Sequence, residues 1–235
     1  MGLIRGSHGA WFVAGLLAVA AAPARAQIGA SVGIDSDYRY RGVSLSDGAA
    51  ELRTSIAWDH ASGAYAGASL LAVDPEDPAR RAAVIAYLGY ARRGAPGLGW
   101  EAGLTGMHFG GDGNSRYDGA ELYAGLIAER WNARLYYTPS YFGSGATTLY
   151  AEWNGATTLA GATRLFGHLG ALANLRGTAW EPSRTVRADT RLGIAAAQGG
   201  FELQLAWVAG RRSPLYPVSY GDKARAWVLS ASYFF

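Results

Sequence analysis

No cysteine occurs in the chain, so neither a disulfide nor a thiolate metal site can form. Lysine is almost as scarce: Lys223 is the only one, and arginine supplies the remaining positive charge. Acidic and basic residues alternate without forming a block, which leaves no clustered basic footprint for nucleic acid. Past residue 26 there is no uninterrupted apolar run long enough to span a bilayer as a helix. A mature chain that crosses a membrane must therefore cross it as strands. Helical periodicity is also weak there, and alternation takes its place.

Residues 1–26 read as a separate unit. They combine a basic start (Arg5), an apolar run from Ala10 to Ala22, and a closing Ala24-Arg25-Ala26. This is the pattern of a cleaved signal peptide, so the mature domain is expected to be 27–235. Loss of Arg5 and Arg25 lowers the formal charge from +3 to +1.

The end of the chain sets the rule for the rest. Trp227, Leu229, Ala231, Tyr233 and Phe235 share one face of a strand, and the smaller Ala226, Val228, Ser230, Ser232 and Phe234 share the other. Val186, Ala188, Thr190, Leu192 and Ile194 lie opposite Arg187, Asp189 and Arg191. Phe201, Leu203, Leu205 and Trp207 lie opposite Glu202 and Gln204. An arginine on the lipid face at the bilayer midplane costs roughly 2–4 kcal/mol, so the charged parity is expected to point inward.

Twelve strands follow from this pattern. They are Gly29–Arg41, Ala49–His60, Ala64–Asp74, Arg81–Arg93, Trp100–Phe109, Gly119–Arg130, Ala133–Gly143, Thr147–Leu159, Thr163–Arg176, Thr185–Gln198, Phe201–Gly210 and Lys223–Phe235. Tight links such as Ala61-Ser62-Gly63, Trp131-Asn132 and Gly199-Gly200 alternate with longer polar ones. The fold class implied is all-β, a transmembrane antiparallel up-and-down barrel of about twelve strands, with both termini on the short-turn, periplasmic side. Pro139 cannot donate to a ladder. The seventh strand is therefore expected to bulge there or to pair regularly only before Thr138.

The inward charges are the candidate site. The residues expected to line a pore are Asp35, Asp37, Arg39, Arg41, Arg53, Glu101, Glu121, Arg134, Glu152, Arg164, His168, Arg187, Asp189, Arg191 and Glu202. Asp35, Asp37, Arg39 and Arg41 read as a ladder on the first strand. It would polarise one wall and, with Arg39 and Arg41 near the outer mouth, attract anions; salt bridging within the wall is the alternative. Most other aromatics, including Tyr38, Tyr40, Tyr65 and Tyr141, read as outward girdle residues. Tyr87, Tyr123, Tyr136 and Tyr150 fall on the inward parity, where a sugar-binding slide would need them.

Four segments carry a family resemblance. Ser36–Gly48 (SDYRYRGVSLSDG) resembles the N-terminal signature of the proteobacterial Gcw_chp, or TorF-type, porin family. Ser62–Gly67 (SGAYAG) is similar to its second block, and Glu121–Gly125 (ELYAG) and Tyr137–Gly143 (YTPSYFG) are similar to later ones. The resemblance implies an outer-membrane barrel with a porin role and supplies no substrate.

The function expected is a porin-like channel for passive diffusion of small hydrophilic solutes across the cell outer membrane. Its partners would be outer-membrane lipids, those solutes, and the barrel-assembly machinery through the Phe235 strand. No nucleic acid, cofactor, metal site or catalytic residue is expected. The alternatives are a closed structural or adhesive barrel acting through its loops, and an outer-membrane lipid hydrolase using His60 and Ser62. The hydrolase lacks an evident orienting acid.

Overall fold

The computed structural model describes residues 26–72, 82–94, 97–109, 118–179, 182–211, 215–216 and 224–235. The leader expected over 1–26 lies outside them except for Ala26, as do the loops expected at Pro75–Arg80 and most of Gly110–Asp118 and Arg211–Asp222.

Alternation drives the architecture. Along Phe201–Gly210 exposed and buried side chains alternate, with Phe201, Leu203 and Leu205 outside and Glu202, Gln204 and Ala206 inside. An isolated strand of this kind leaves its peptide groups unpaired, and lipid offers them no partner. The sheet therefore closes. The strands are β1 (Gln27–Asp35), β2 (Arg39–Tyr40), β3 (Val43–Ser44), β4 (Glu51–Asp59), β5 (Ala64–Ala72), β6 (Ala83–Arg93), β7 (Leu98–Phe109), β8 (Gly119–Ala128), β9 (Trp131–Thr138), β10 (Thr147–Ala160), β11 (Thr163–Arg176), β12 (Val186–Gln198), β13 (Phe201–Gly210) and β14 (Arg225–Phe234). Each barrel strand pairs antiparallel with its neighbours in sequence, β4 follows β1, and β1 pairs with β14 from Ser31↔Phe234 to Asp35↔Ser230. The result is a closed twelve-stranded barrel with a separate two-stranded ribbon, β2–β3.

Three expectations need correction. The first strand does not run to Arg41. It stops at Asp35, and the next residues fold back as the β2–β3 ribbon. The cause is a two-residue turn, Arg41-Gly42, with φ of 48° and 76°. Positive φ at both central residues matches the twist of a tight hairpin. Asp37, Arg39 and Arg41 are thus not strand-wall residues. The β8–β9 turn is Glu129-Arg130, while Trp131 and Asn132 are already paired. Tyr38, Tyr40, Tyr65 and Tyr141 are buried inside the barrel instead of facing lipid. The reading of Pro139 holds: β9 ends at Thr138, paired with Thr148, and the chain turns through a single 3₁₀ turn at Tyr141–Gly143.

Inside the wall, large rings fit over missing side chains. A Cβ on Gly103 would strike the Tyr123 ring, one on Gly67 would strike Tyr87, and one on Gly170 would strike Tyr150. The rings therefore lie against the wall of the neighbouring strand, which leaves room along the axis. Outside, leucines such as Leu88, Leu104, Leu122 and Leu169 are exposed and form the apolar band that a bilayer covers.

Leu104 lies midway along β7 on that band. Leu104→Arg is expected to destabilise the barrel by roughly 2–4 kcal/mol in reversible unfolding from lipid vesicles. A neutral effect would mean that this face does not meet lipid.

Candidate functional site in the barrel lumen

The lumen has two unlike halves. At the end bearing the long loops, residues of three described loop segments pack into one apolar cluster with inward strand residues. Tyr38, Tyr40, Val43 and Leu45 come from the first loop, Tyr141, Phe142 and Ala146 from the β9–β10 loop, and Leu215 and Tyr216 from the last. Leu45 and Tyr141 are fully buried there. Towards the short-turn end lies a cavity of about 550 Å³, whose lining reaches Gly29, Arg130, Trp131 and Phe235 at the rim.

The first loop crosses between these halves. Asp35 closes β1, and Ser36 N–H donates to the Leu229 carbonyl (2.8 Å). Asp37 then gathers the ribbon by accepting from Arg39 Nε (2.6 Å), Ser44 Oγ (2.5 Å) and Ser46 Oγ (3.4 Å). At the tip, Arg41 forms a fork with Glu121 of β8: Nη1 to Oε1 at 3.0 Å and Nη2 to Oε2 at 2.7 Å. Thr138 Oγ1 donates to the same carboxylate at 2.7 Å. Gly42 reaches β13, where an added Cβ would stand 2.7 Å from the Gly210 Cα. The tip is thus fixed to β8 and seated against β13. Burial pushes the Tyr141 phenol up to about 12, against the opposing influence of Arg41, and holds the Tyr40 phenol well above its ordinary value. Both stay neutral at physiological pH.

Two further networks line the wall. Arg134 on β9 donates to Glu101 from Nε (2.5 Å) and Nη2 (3.1 Å) and lies 3.8 Å from Glu152. Tyr65 donates to the same Glu101 (2.7 Å). On the other side, Asn154 Nδ2 donates to Asn132, and its Oδ1 lies 2.7 Å from His168 Nδ1. His168 Nε2 lies 2.8 Å from Asp189, which also accepts from Tyr150. Near the short-turn end Arg164 pairs with Glu202 (2.8 Å). Where β1 gives way to the first loop, Arg53 of β4 approaches Asp35 at 3.4 Å.

Of the fifteen expected pore-lining residues, twelve line the cavity. The exceptions are Glu101, which lies behind Arg134 and Tyr65, Glu202, which lies behind Arg164, and Arg187. Asp37, Arg39 and Arg41 do reach the cavity, but from the inserted ribbon, and Arg39 and Arg41 each carry a carboxylate partner. The cavity wall holds seven acidic and seven arginine side chains. Arg39 is paired with Asp37 inside the ribbon and Arg41 with Glu121 of β8, so both arginines of the expected ladder are ion-paired, though not along one wall. The sequence reading missed Tyr65, Tyr40 and Tyr141 as inward groups. Glu51, buried opposite Asp35, was also missed. His60 and Ser62 do meet, at 2.8 Å, but on an exposed turn where His60 stacks on Trp58, and no carboxylate partner orients it among the described residues. Among the described residues no cluster suited to a metal ion occurs.

The family described as "Bacterial protein of unknown function (Gcw_chp)" matches residues 18–229. No curated protein matches the chain. Among solved structures, the KdgM porin is similar at 10% identity, with a TM-score of 0.54, covering 90% of this chain and 99% of its own. The KdgM porin in complex with disordered oligogalacturonate is similar at 9% identity, with a TM-score of 0.53 and the same coverage. At such identities the likeness establishes a shared fold.

Arg134 neutralises two buried glutamates at once. Arg134→Met is expected to destabilise the barrel by about 3–5 kcal/mol, because withdrawing one partner strands the opposite charge. Adding Glu101→Gln is expected to recover part of that loss. Heat-dependent gel mobility and unfolding in detergent would measure both.

Proposed function

The chain belongs to the Gcw_chp family, and we propose that it is a porin-like channel of the outer membrane through which small hydrophilic solutes diffuse passively. The observation that carries this reading is the cavity. It is about 550 Å³ in volume, carries charged side chains along its wall, and reaches the short-turn rim. Such a volume accommodates small polar molecules. A lumen lined by paired charges suits hydrated solutes, whereas a purely structural barrel could be filled with apolar side chains. The balanced wall favours weak ion selectivity. The complex of the KdgM porin with oligogalacturonate gives a precedent for hydrophilic solutes in this fold. In this reading the first loop, which enters the lumen and is clamped to Glu121, would limit the size of the solute.

The supporting assignments follow from the same reading. Residues 1–26 leave as a signal peptide. The ends of the barrel lie at the rim with the short turns, which is the periplasmic rim of bacterial barrels. The aromatic final strand, ending in Phe235, engages the assembly machinery, and lipids cover the outer band. The cavity-lining members of the expected set, among them Asp35, Arg53, Arg164 and Arg191, form the solute path.

A second reading rests on the apolar cluster at the loop end: a closed barrel acting through its surface. Planar-bilayer recording separates the two. The channel reading expects small unitary steps from the mature chain, weak ion selectivity in a salt gradient, and a several-fold larger step for Arg41→Ala. No steps from either protein, while a reference porin conducts under the same conditions, would establish the closed barrel.

A further inference from the structure

The tip of the first loop ends in a cage. Arg41 lies over the Tyr150 ring with its guanidinium carbon 3.9 Å from the centroid. Three more rings surround it, Tyr40 at 4.9 Å, Tyr136 at 5.4 Å and Tyr141 at 5.5 Å. Glu121, only 1% exposed, supplies a carboxylate fork in the plane of the guanidinium. Aromatic faces around a cation with one carboxylate are the chemistry by which proteins recognise weakly hydrated organic cations. The planar fork further prefers guanidinium over ammonium, since two parallel N–H donors match two carboxylate oxygens.

Most of this cage belongs to the barrel wall, and its occupant belongs to the loop. Tyr136, Tyr150 and Glu121 stand on β9, β10 and β8. Thr138 holds the carboxylate in place independently of the loop. Arg41 reaches the site from a left-handed backbone conformation (φ 48°), which costs a side-chain-bearing residue energy. Tyr136, Tyr150 and Glu121 also line the cavity, so a solute entering from the short-turn rim reaches the underside of the cage.

We infer that this cage is a binding site for small guanidinium compounds, which Arg41 occupies as a tethered ligand. Withdrawal of the loop alone would strand the Glu121 charge in a buried position, which is strongly unfavourable. A free guanidinium compound arriving from the cavity removes that obstacle. It takes over the fork and the ring faces, and the loop tip is released. The ligand is thereby linked to the state of the constriction, because whatever binds only the released state favours it.

The test is chemical complementation of the tip, with full-length mature protein in detergent. Arg41→Ala, shown to be folded by heat-dependent gel mobility, is titrated with methylguanidinium chloride by calorimetry. Saturable binding is expected, at least about tenfold tighter than to the unaltered chain, whose own arginine competes. Tetramethylammonium, which fills the cage without the fork, is expected to bind more weakly, and sodium chloride to give no saturable signal. Adding Glu121→Gln to Arg41→Ala is expected to abolish binding. Arg41→Lys keeps Glu121 neutralised and serves if Arg41→Ala does not fold; its affinity is expected to fall between Arg41→Ala and the unaltered chain. A folded Arg41→Ala that gives no saturable heat overturns the inference. So does binding that survives Glu121→Gln, or tetramethylammonium binding as tightly as methylguanidinium. Calorimetry reads binding without conduction, so failure of the channel reading would leave this result standing.

Discussion

A bilayer interior offers no hydrogen-bond partner to a peptide group, and the whole molecule answers to that constraint. Every ladder must find both neighbours, so twelve strands curl until β1 meets β14. Closure then divides side chains into two populations, one bathed in hydrocarbon and one enclosed. Leucines and tryptophans such as Leu203, Leu229 and Trp227 occupy the first, and nearly all the charge of the strands occupies the second. Enclosed charge is tolerable only when compensated, and this accounts for Arg134 between Glu101 and Glu152, and Arg164 against Glu202.

Much of this was legible in the residue order, and the boundary of legibility has a physical cause. Thr163–Arg176 and Phe201–Gly210 were delimited correctly from the sequence because each carries charge on one parity and bulky apolar groups on the other. β5 (Ala64–Ala72) carries no charge at all. Nothing local states which of its faces meets lipid, and Tyr65 was accordingly assigned to the wrong side. The ribbon failed for a different reason. Asp37, Arg39 and Arg41 continue the period-two pattern of β1 without a break, and only the turn at Arg41-Gly42 shows that the continuation has left the wall. Periodicity reports which residues alternate; it does not report which neighbour they alternate against.

The enclosed half of the molecule is organised by absence as much as by contact. Wall glycines accept the rings of Tyr87, Tyr123 and Tyr150, and the axis stays open beneath the loop. Where loops enter, apolar groups surround the paired charges of Asp37, Arg39 and Arg41, and among the described residues the loops enter from one end. The same polypeptide thus provides a packed cap and a charge-bearing chamber. The Arg41–Glu121 fork stands at their junction, tying the inserted loop to the wall.

The seam has a consequence for biogenesis. Its two edges come from opposite extremities of the chain, Ser31 lying against Phe234 and the Phe235 amide donating to the Ala30 carbonyl. The tube cannot be zipped shut until β14 meets β1. Until then the nascent sheet carries two raw margins, each a template for adhesion to any passing extended segment. An unsealed sheet of this kind would expose both margins to association, and sealing removes them together.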